Sequence, residues 1–367
     1  MRKLATIQRI KTLFPIKGAD RIELATFGGL GWQCVVKKGE FNEGDKCIYF
    51  EVDSLLPELP QFEFLRKSSW NNRYQKHRLR TMKMKGVLSQ GLALPLSAFG
   101  GLTGNEPEGE DLTEVLGVMK YEPYVPAALQ GDVNSFTWPI PKTDEERIQS
   151  NPEFIEQFSG KKFYSTVKLD GTSGSYILWT NPDSGKEEYH VCSRNHSIRK
   201  PEEGINTYWE MSDKYGIEER LKTMKHDGLM GIALQGEICG PGIQKNPLNL
   251  GEVGFFLFNM ILIESRDGIP TVKRLPLMDM LLKLSVMNEF GSDKYLELET
   301  VPIDTQSIFH FKTVEKLLDF VDRDYKDYVN TNTDKPIEGM VFRLSEHPEH
   351  SFKVINNRYL LTGGDDE

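Results

Sequence analysis

The stretch Phe163-Tyr-Ser-Thr-Val-Lys-Leu-Asp-Gly-Thr-Ser173 runs through apolar and small polar side chains into a glycine. It reads as a strand over 163–169 closed by a tight turn at Gly171. Side chains two apart at a strand end share a face, which sets Lys168 beside Asp170. A lysine nucleophile needs that setting, because its amine must lose a proton and be aimed before it can react. K-x-D-G is also the text of an ordinary solvated hairpin with a surface ion pair, so the weight comes from what surrounds it.

Downstream, Val191-Cys-Ser-Arg-Asn195 offers Arg194 among small polar neighbours, suited to a phosphate or a ribose. Leu234-Gln-Gly-Glu-Ile-Cys-Gly240 puts Glu237 on a strand between glycines, where a ligand can come close to backbone. Phe255-Phe-Leu-Phe-Asn-Met260 is mostly apolar and reads by itself as a core strand. Ile337-Glu-Gly-Met-Val-Phe-Arg343 sets Glu338 at a strand start, and Ser351-Phe-Lys-Val-Ile355 sets Lys353 in the next strand. The phosphate-binding signatures G-x-x-x-x-G-K-[ST] and G-x-G-x-x-G are absent, so a nucleotide would have to be held another way.

Apolar alternating runs at 163–169, 174–179, 232–238, 254–263 and 337–344 mix irregularly with helical patterns at 143–158, 205–224, 276–290 and 312–328. The class is α+β, not a doubly wound parallel sheet. Thr143 with Glu146 three residues later has the form of a capping box for the first of those helices. Ahead of this lies a different text. Residues 4–96 are short β-type runs cut by turns, the pattern of a small closed barrel or sandwich, of which size and charge favour a five-stranded OB-type barrel. Residues 101–139 are Gly-rich, acidic and then Pro-rich, including Tyr121-Glu-Pro-Tyr-Val-Pro126 and Trp138-Pro-Ile-Pro141, and read as a linker. The expected division is 1–100, 101–139 and 140–367.

A chain of 367 residues with 38% apolar and 27% charged residues suits two or three globular domains and excludes collagen, coiled coil and wholesale disorder. Its net charge of -9 seems hostile to nucleic acid. Residues 1–100, however, hold 17 Lys and Arg against 9 Asp and Glu, a net of +8, which leaves -17 for the rest. The basic excess peaks in Arg66–Lys85, which has a Trp, a Tyr and no acid. Arg73, Lys76, Arg78, Arg80, Lys83 and Lys85 are candidate contacts for a single-stranded nucleic-acid backbone there. Arg78, Arg80, Lys83 and Lys85 cannot share one strand face, so a kink or loop is expected among them, and the bland alternative is a solvated charged face.

The four cysteines share no C-x-x-C spacing and read as reduced, buried thiols. His347-Pro-Glu-His350 reads as a surface turn rather than a metal site. The longest apolar run, 254–263, is too short to cross a membrane, and the N-terminal residues lack a signal peptide's apolar centre. The expectation is an intracellular, cytoplasmic monomer with no membrane partner.

Taken in order, K-x-D-G, S-R-N, G-E, F-N, E-G-x-V and S-F-K-x-I resemble the motif series of the covalent nucleotidyltransferase superfamily, which contains DNA ligases, RNA ligases and mRNA capping enzymes. The resemblance covers residues 140–367 and is strongest to the fifth family of ATP-dependent RNA ligases. N-terminal stretches such as Ile16-Lys-Gly-Ala-Asp-Arg-Ile-Glu-Leu-Ala25 and Tyr49-Phe-Glu-Val-Asp-Ser54 also resemble that family. It implies an OB-type barrel followed by an α+β nucleotidyltransferase domain, ATP-grasp-like. The activity implied is sealing of RNA 3′-hydroxyl and 5′-phosphate ends through a lysyl-AMP intermediate on Lys168.

By the same resemblance, Lys353 contacts the α-phosphate, Arg194 lies near the ribose and phosphates, Phe258 stacks on adenine with Phe255 and Phe256 as rivals on the same strand, and Glu237 or Glu338 reaches ribose hydroxyls. Lys142 and Arg147 touch triphosphate or adenine, and Val167 and Gly171 complete the ATP set. Asp170, Glu237 and Glu338 are expected to hold Mg2+, or Mn2+, mostly through its waters. Fourteen residues follow Lys353, too few for the trailing OB domain of DNA ligases and capping enzymes. A DNA ligase, a capping-type guanylyltransferase and an RNA-binding protein with a relic ligase half are the alternatives.

Overall fold

In the first strand, Ala5–Pro15, a bulge between Ile10 and Thr12 lets one long strand serve two partners. Its first half pairs antiparallel with Lys46–Phe50, and its second half with Ile22–Phe27. The resulting five-stranded sheet runs Leu92–Pro95, Lys46–Phe50, Ala5–Pro15, Ile22–Phe27, Gln33–Lys37. This is the OB barrel. The computed structural model describes residues 2–122, 133–135, 140–226, 228–267, 269–328 and 333–362.

The stretch after residue 100 does more than connect. Leu112 and Val118 are buried in the barrel's core, the backbone N–H of Leu4 donates to Thr113 Oγ1 at 2.8 Å, and Met119–Lys120 pairs with the strand Ser54–Leu56. Burial of those apolar side chains outweighs the local Gly and acid content that made the segment look like a linker. Residues 123–132 and 136–139, which carry most of its Pro-rich part, lie outside the described residues.

The basic stretch breaks as its charge pattern requires. Lys76–Arg78 and Met82–Met84 are separate strands, and Lys85 (φ 48°) with Gly86 (φ 88°) folds the second back onto Val87–Ser89. Consecutive positive φ values are what a two-residue hairpin turn demands. Arg73, Arg80, Lys83 and Lys85 are exposed and Lys76 is half-buried. Arg78 is placed differently from its neighbours: it is buried, with its guanidinium carbon 3.5 Å from the centre of the Tyr121 ring and Nη2 3.6 Å from Asp53. Its side chain packs inside the module instead of joining the exposed cations.

The second half is built from two largely antiparallel sheets, the larger with one short parallel pair between Gly254–Arg266 and Glu299–Thr300. The small one runs Ile303–Ile308, Lys162–Lys168, Gly339–Leu344, Ser351–Ile355. The large one centres on Thr172–Thr180, Leu229–Cys239 and Gly254–Arg266, with helices Thr207–Lys214, Ile217–Met224 and Leu277–Glu289 packed on its apolar face. The chain passes from one sheet to the other between Lys168 and Thr172, so the K-x-D-G stretch lies at their junction. Gly171 is required there by space rather than by a left-handed turn. A Cβ at this position would lie 2.4 Å from the Ile238 carbonyl oxygen.

One expected helix is largely missing. Of 143–158 only Phe154–Phe158 is α-helical, and the Thr143–Glu146 capping box does not form. The extended segment instead bonds to the strand carrying Lys353: the Lys353 N–H donates to the Glu146 carbonyl at 2.7 Å, and the Ile148 N–H donates to the Lys353 carbonyl at 3.0 Å. Those tertiary backbone bonds replace the ones a helix would have supplied.

Candidate active site

Between the two sheets lies a cavity that opens to solvent. The small sheet contributes Thr166, Val167, Lys168, Val341, Arg343 and Lys353; the large one contributes Ser173, Glu237 and Phe258. Arg194 comes from the loop after Glu187–Cys192, and Thr143, Asp144 and Glu145 from the extended segment. Residues spread over more than 200 positions thus meet around one cavity, because the chain crosses from one sheet to the other between Lys168 and Thr172.

Lys168 ends its strand opposite Gly339, and its Nζ donates to Glu338 Oε2 at 2.5 Å. Burial opposes the charge on Lys168, but Glu338 and Glu237 outweigh it and hold the ammonium above its ordinary pKa. Burial pushes Glu237 up to about 7, with Lys168 and Arg194 pulling the other way. Burial brings Lys353 down to about 8, although Asp144 accepts from its Nζ at 2.7 Å. Asp144 also accepts from Lys120 at 3.1 Å, and these two lysines overcome burial to keep it below the ordinary carboxylate range.

Of the three aromatic rivals, Phe258 lines the cavity, whereas Phe255 is buried in the core beneath the helices and Phe256 packs against the core of the small sheet. Asp170 lies two residues past the strand end. It is buried, and its backbone N–H donates to the Tyr325 hydroxyl at 3.1 Å. Lys142 donates to Asn195 Oδ1 at 3.2 Å.

Arg147 reaches across to the barrel, where its Nη2 donates to Asp53 Oδ2 at 2.5 Å. Its Nε and Nη1 are buried without a hydrogen-bond partner, which leaves donors for an incoming anion. Further contacts join the halves: Ser150 donates to Glu51 at 2.6 Å, the Gly31 N–H donates to the Gln149 carbonyl at 2.8 Å, and Gln90 donates to Asn357 at 3.1 Å.

Sequence reading missed Asp53, Asp144, Glu145 and Arg343. One signal was available for the last: an arginine inside the apolar run Met340-Val-Phe-Arg-Leu344 is costly to bury unless it is paired. Among the described residues no three His, Cys, Asp or Glu side chains converge closely enough to ligate an ion directly, and no helix is long and apolar enough to cross a membrane.

An amine at the edge of an open cavity lined by carboxylates and by further cations suits an enzyme that transfers a nucleotide through a lysine. Comparison with known proteins narrows that class. The family model of RNA ligase matches residues 161–355, and that of an OB-fold domain matches residues 4–96. Three solved structures of Naegleria gruberi RNA ligase, each 34% identical, superpose over nearly the whole chain. A variant with AMP and Mn and the ligase with PPi each give a TM-score of 0.83 with 100% of both chains covered. A variant with ATP and Mn gives 0.82, with 99% of this chain and 100% of that one covered. No curated protein matches the chain. The chain belongs to the RNA ligase family, with an OB-fold domain ahead of an α+β ligase domain and nucleic acid as its substrate class.

Proposed function

We propose that this RNA ligase joins a 3′-hydroxyl to a 5′-phosphate in three steps that begin on Lys168. Neutral Lys168 Nζ attacks the α-phosphorus of ATP. A nitrogen–phosphorus bond forms, the α–β phosphoanhydride bond breaks, and pyrophosphate leaves. AMP then passes to the RNA 5′-phosphate, and the 3′-hydroxyl of the other end displaces it. The observation that carries this reading is Lys168, Glu338 and Glu237 grouped together, with Lys353 and Arg194 lining the same cavity.

Little bond-making is asked of the other side chains, so catalysis comes from positioning and charge stabilisation. Lysine's ordinary pKa near 10.4 puts the cost of deprotonation at neutral pH at roughly 4–5 kcal/mol. In this structure Glu338 and Glu237 add to that cost by stabilising the ammonium. A divalent cation, Mg2+ or Mn2+, fits the donor set. Glu237 is ionised only above about 7 because its burial is incompletely offset, and a cation beside it would complete that balance. Glu237, Glu338 and Asp170 would hold the ion mostly through its waters, and it would supply the positive charge that frees the lysine of its proton.

Lys353 and Arg194 face the α-phosphate and ribose, Arg147 and Lys142 the outer phosphates, and Phe258 stacks on the base, with Val167 and Gly171 shaping the floor. The barrel, residues 1–100 extended through the segment packed on it, holds the RNA with Arg73, Lys76, Arg80, Lys83 and Lys85. Residues 140–367 carry the chemistry within one chain, which acts as a monomer. All four cysteines are free and buried, in keeping with a reducing cytoplasm. Incubation with ATP labelled at its α-phosphate tests the reading. The parent chain should become labelled, Lys168→Ala should lose the adduct completely, and an adduct that survives the substitution would sink it.

A further inference from the structure

The turn that carries the nucleophile is held outside the strand ladders. Pairing of Lys162–Lys168 with Gly339–Leu344 ends at Lys168 opposite Gly339, and the next strand starts at Thr172, which leaves residues 169–171 to bond elsewhere. Two side chains take amides of this turn. The Gly171 N–H donates to the Glu237 carboxylate, and the Asp170 N–H donates to the Tyr325 hydroxyl at 3.1 Å, 155 positions along the chain. Glu237 is read above as a support of the cation, so its bond to the turn competes with that task. Tyr325 has no such second duty: its ring is fully buried in the core of the small sheet, in one cluster with Leu169 and Ile337. The Tyr325 N–H donates to the Lys335 carbonyl at 3.0 Å and the Ile337 N–H to the Arg323 carbonyl at 3.1 Å, which laces residues 323–325 to the approach of Glu338. One short segment thus anchors both the turn after Lys168 and the strand start that carries its carboxylate partner. Burial, with the charges of Asp170 and Glu338 adding to it, holds the phenol well above its ordinary pKa and keeps it protonated.

We propose that Tyr325 is a positioning residue: its hydroxyl oxygen fixes the 169–171 turn through the Asp170 N–H and so aims the Lys168 amine at the α-phosphorus. The inference rests on the reading above that Lys168 is the residue adenylated. Tyr325 touches no reacting atom and acts only through the backbone. From the other side the turn is hemmed in by the Ile238 carbonyl, which leaves no room for a side chain at Gly171. In-line attack tolerates little error, and a displacement of about 1 Å can cost on the order of 10²-fold in rate. Loss of one neutral hydrogen bond that holds such a geometry is worth about tenfold. The later joining step is different. There the RNA 3′-hydroxyl attacks, so the aim of Lys168 does not limit it.

Tyr325→Phe keeps the ring in its core and removes only the oxygen. Two rates are compared in the same full-length protein, alongside thermal unfolding: single-turnover adenylation with labelled ATP, and joining of chemically pre-adenylated RNA, in which the lysine is not the nucleophile. Adenylation at saturating ATP should fall about tenfold, with the KM for ATP and the joining rate each within about twofold of the parent. Unchanged adenylation in a folded variant overturns the proposal. So does an equal loss in both steps, which would make Tyr325 a structural support of the whole cavity. If Tyr325→Phe does not fold, 3-fluorotyrosine in place of Tyr325 decides, because it keeps the shape and weakens the oxygen as an acceptor. A loss confined to adenylation supports the proposal, and a loss in neither step or in both overturns it. Absence of any Lys168-dependent adduct in the parent would instead remove the underlying reading, and this proposal with it.

Discussion

The two halves of the molecule carry positive charge in opposite ways. On the barrel, Arg73, Arg80, Lys83 and Lys85 stand exposed along a broken strand and a hairpin, where their attraction for a polyanion acts at long range and is screened by salt. In the ligase domain three cations of the site are half-buried, each against a carboxylate within hydrogen-bonding distance: Lys168 with Glu338, Lys353 with Asp144, Arg147 with Asp53. The first arrangement suits a substrate of varying sequence that must slide into place. The second suits a small ligand whose phosphates take over cations already oriented. The Asp53–Arg147 pair joins them, since one partner belongs to each half.

That contrast can be broken at its strongest point first. Replacing Glu338 by Ala removes the carboxylate bonded to Lys168 and a candidate support of the divalent cation. Adenylation should fall by about 10²–10³, as for loss of one preorganised charge-stabilising group. A near-normal single-turnover rate would take Glu338 out of the site. Next is the seam. Asp53→Ala leaves Arg147 buried and unpaired and should cost about 3–5 kcal/mol of stability, read as a lowered denaturation midpoint. A loss below ~1 kcal/mol would mean that the two halves are coupled elsewhere.

A smaller effect is expected with pH. Glu237 has its folded pKa raised to about 7, so it is protonated as pH falls through that value, and a carboxylate must be ionised to bind a cation. Mn2+ affinity should therefore drop about tenfold per unit below pH 7, while Glu237→Gln should bind weakly with that pH step removed. A parent whose affinity is flat from pH 8 to 6 would contradict this. The smallest change is expected on the barrel. Combined Arg80→Ala, Lys83→Ala and Lys85→Ala should lower the slope of log affinity for single-stranded RNA against log salt by about 2, at roughly 0.7 per phosphate contact. Lysine adenylation should be unaltered, and an unchanged slope would move the RNA surface elsewhere.

Strands were legible wherever the period-2 pattern is self-contained. Lys162–Lys168, Leu229–Cys239 and Gly254–Arg266 lie within a few residues of their expected spans because each is held by apolar burial along its own length. The segment 143–158 was misread because its polar residues fit a capped helix locally, while its backbone bonds are made with Lys353, some 200 positions away. Phe258 could not be told from Phe255 and Phe256 on paper, since strand alternation says which rings differ in face but not which face is hollow. Arg78 was grouped with its neighbours by charge, and only the approach of Tyr121 and Asp53 takes it inward.

The sequence by itself determined the order of the motifs, the α+β class behind an OB barrel, and the division of charge between the halves. All of these are local texts or sums over the chain. Tertiary structure alone decided which side chains meet: Asp144 on Lys353, Asp53 on Arg147, Glu145 beside Arg343. Such pairs join residues from different strands and domains. Their energies depend on burial and on distances of a few ångströms, which no linear pattern records.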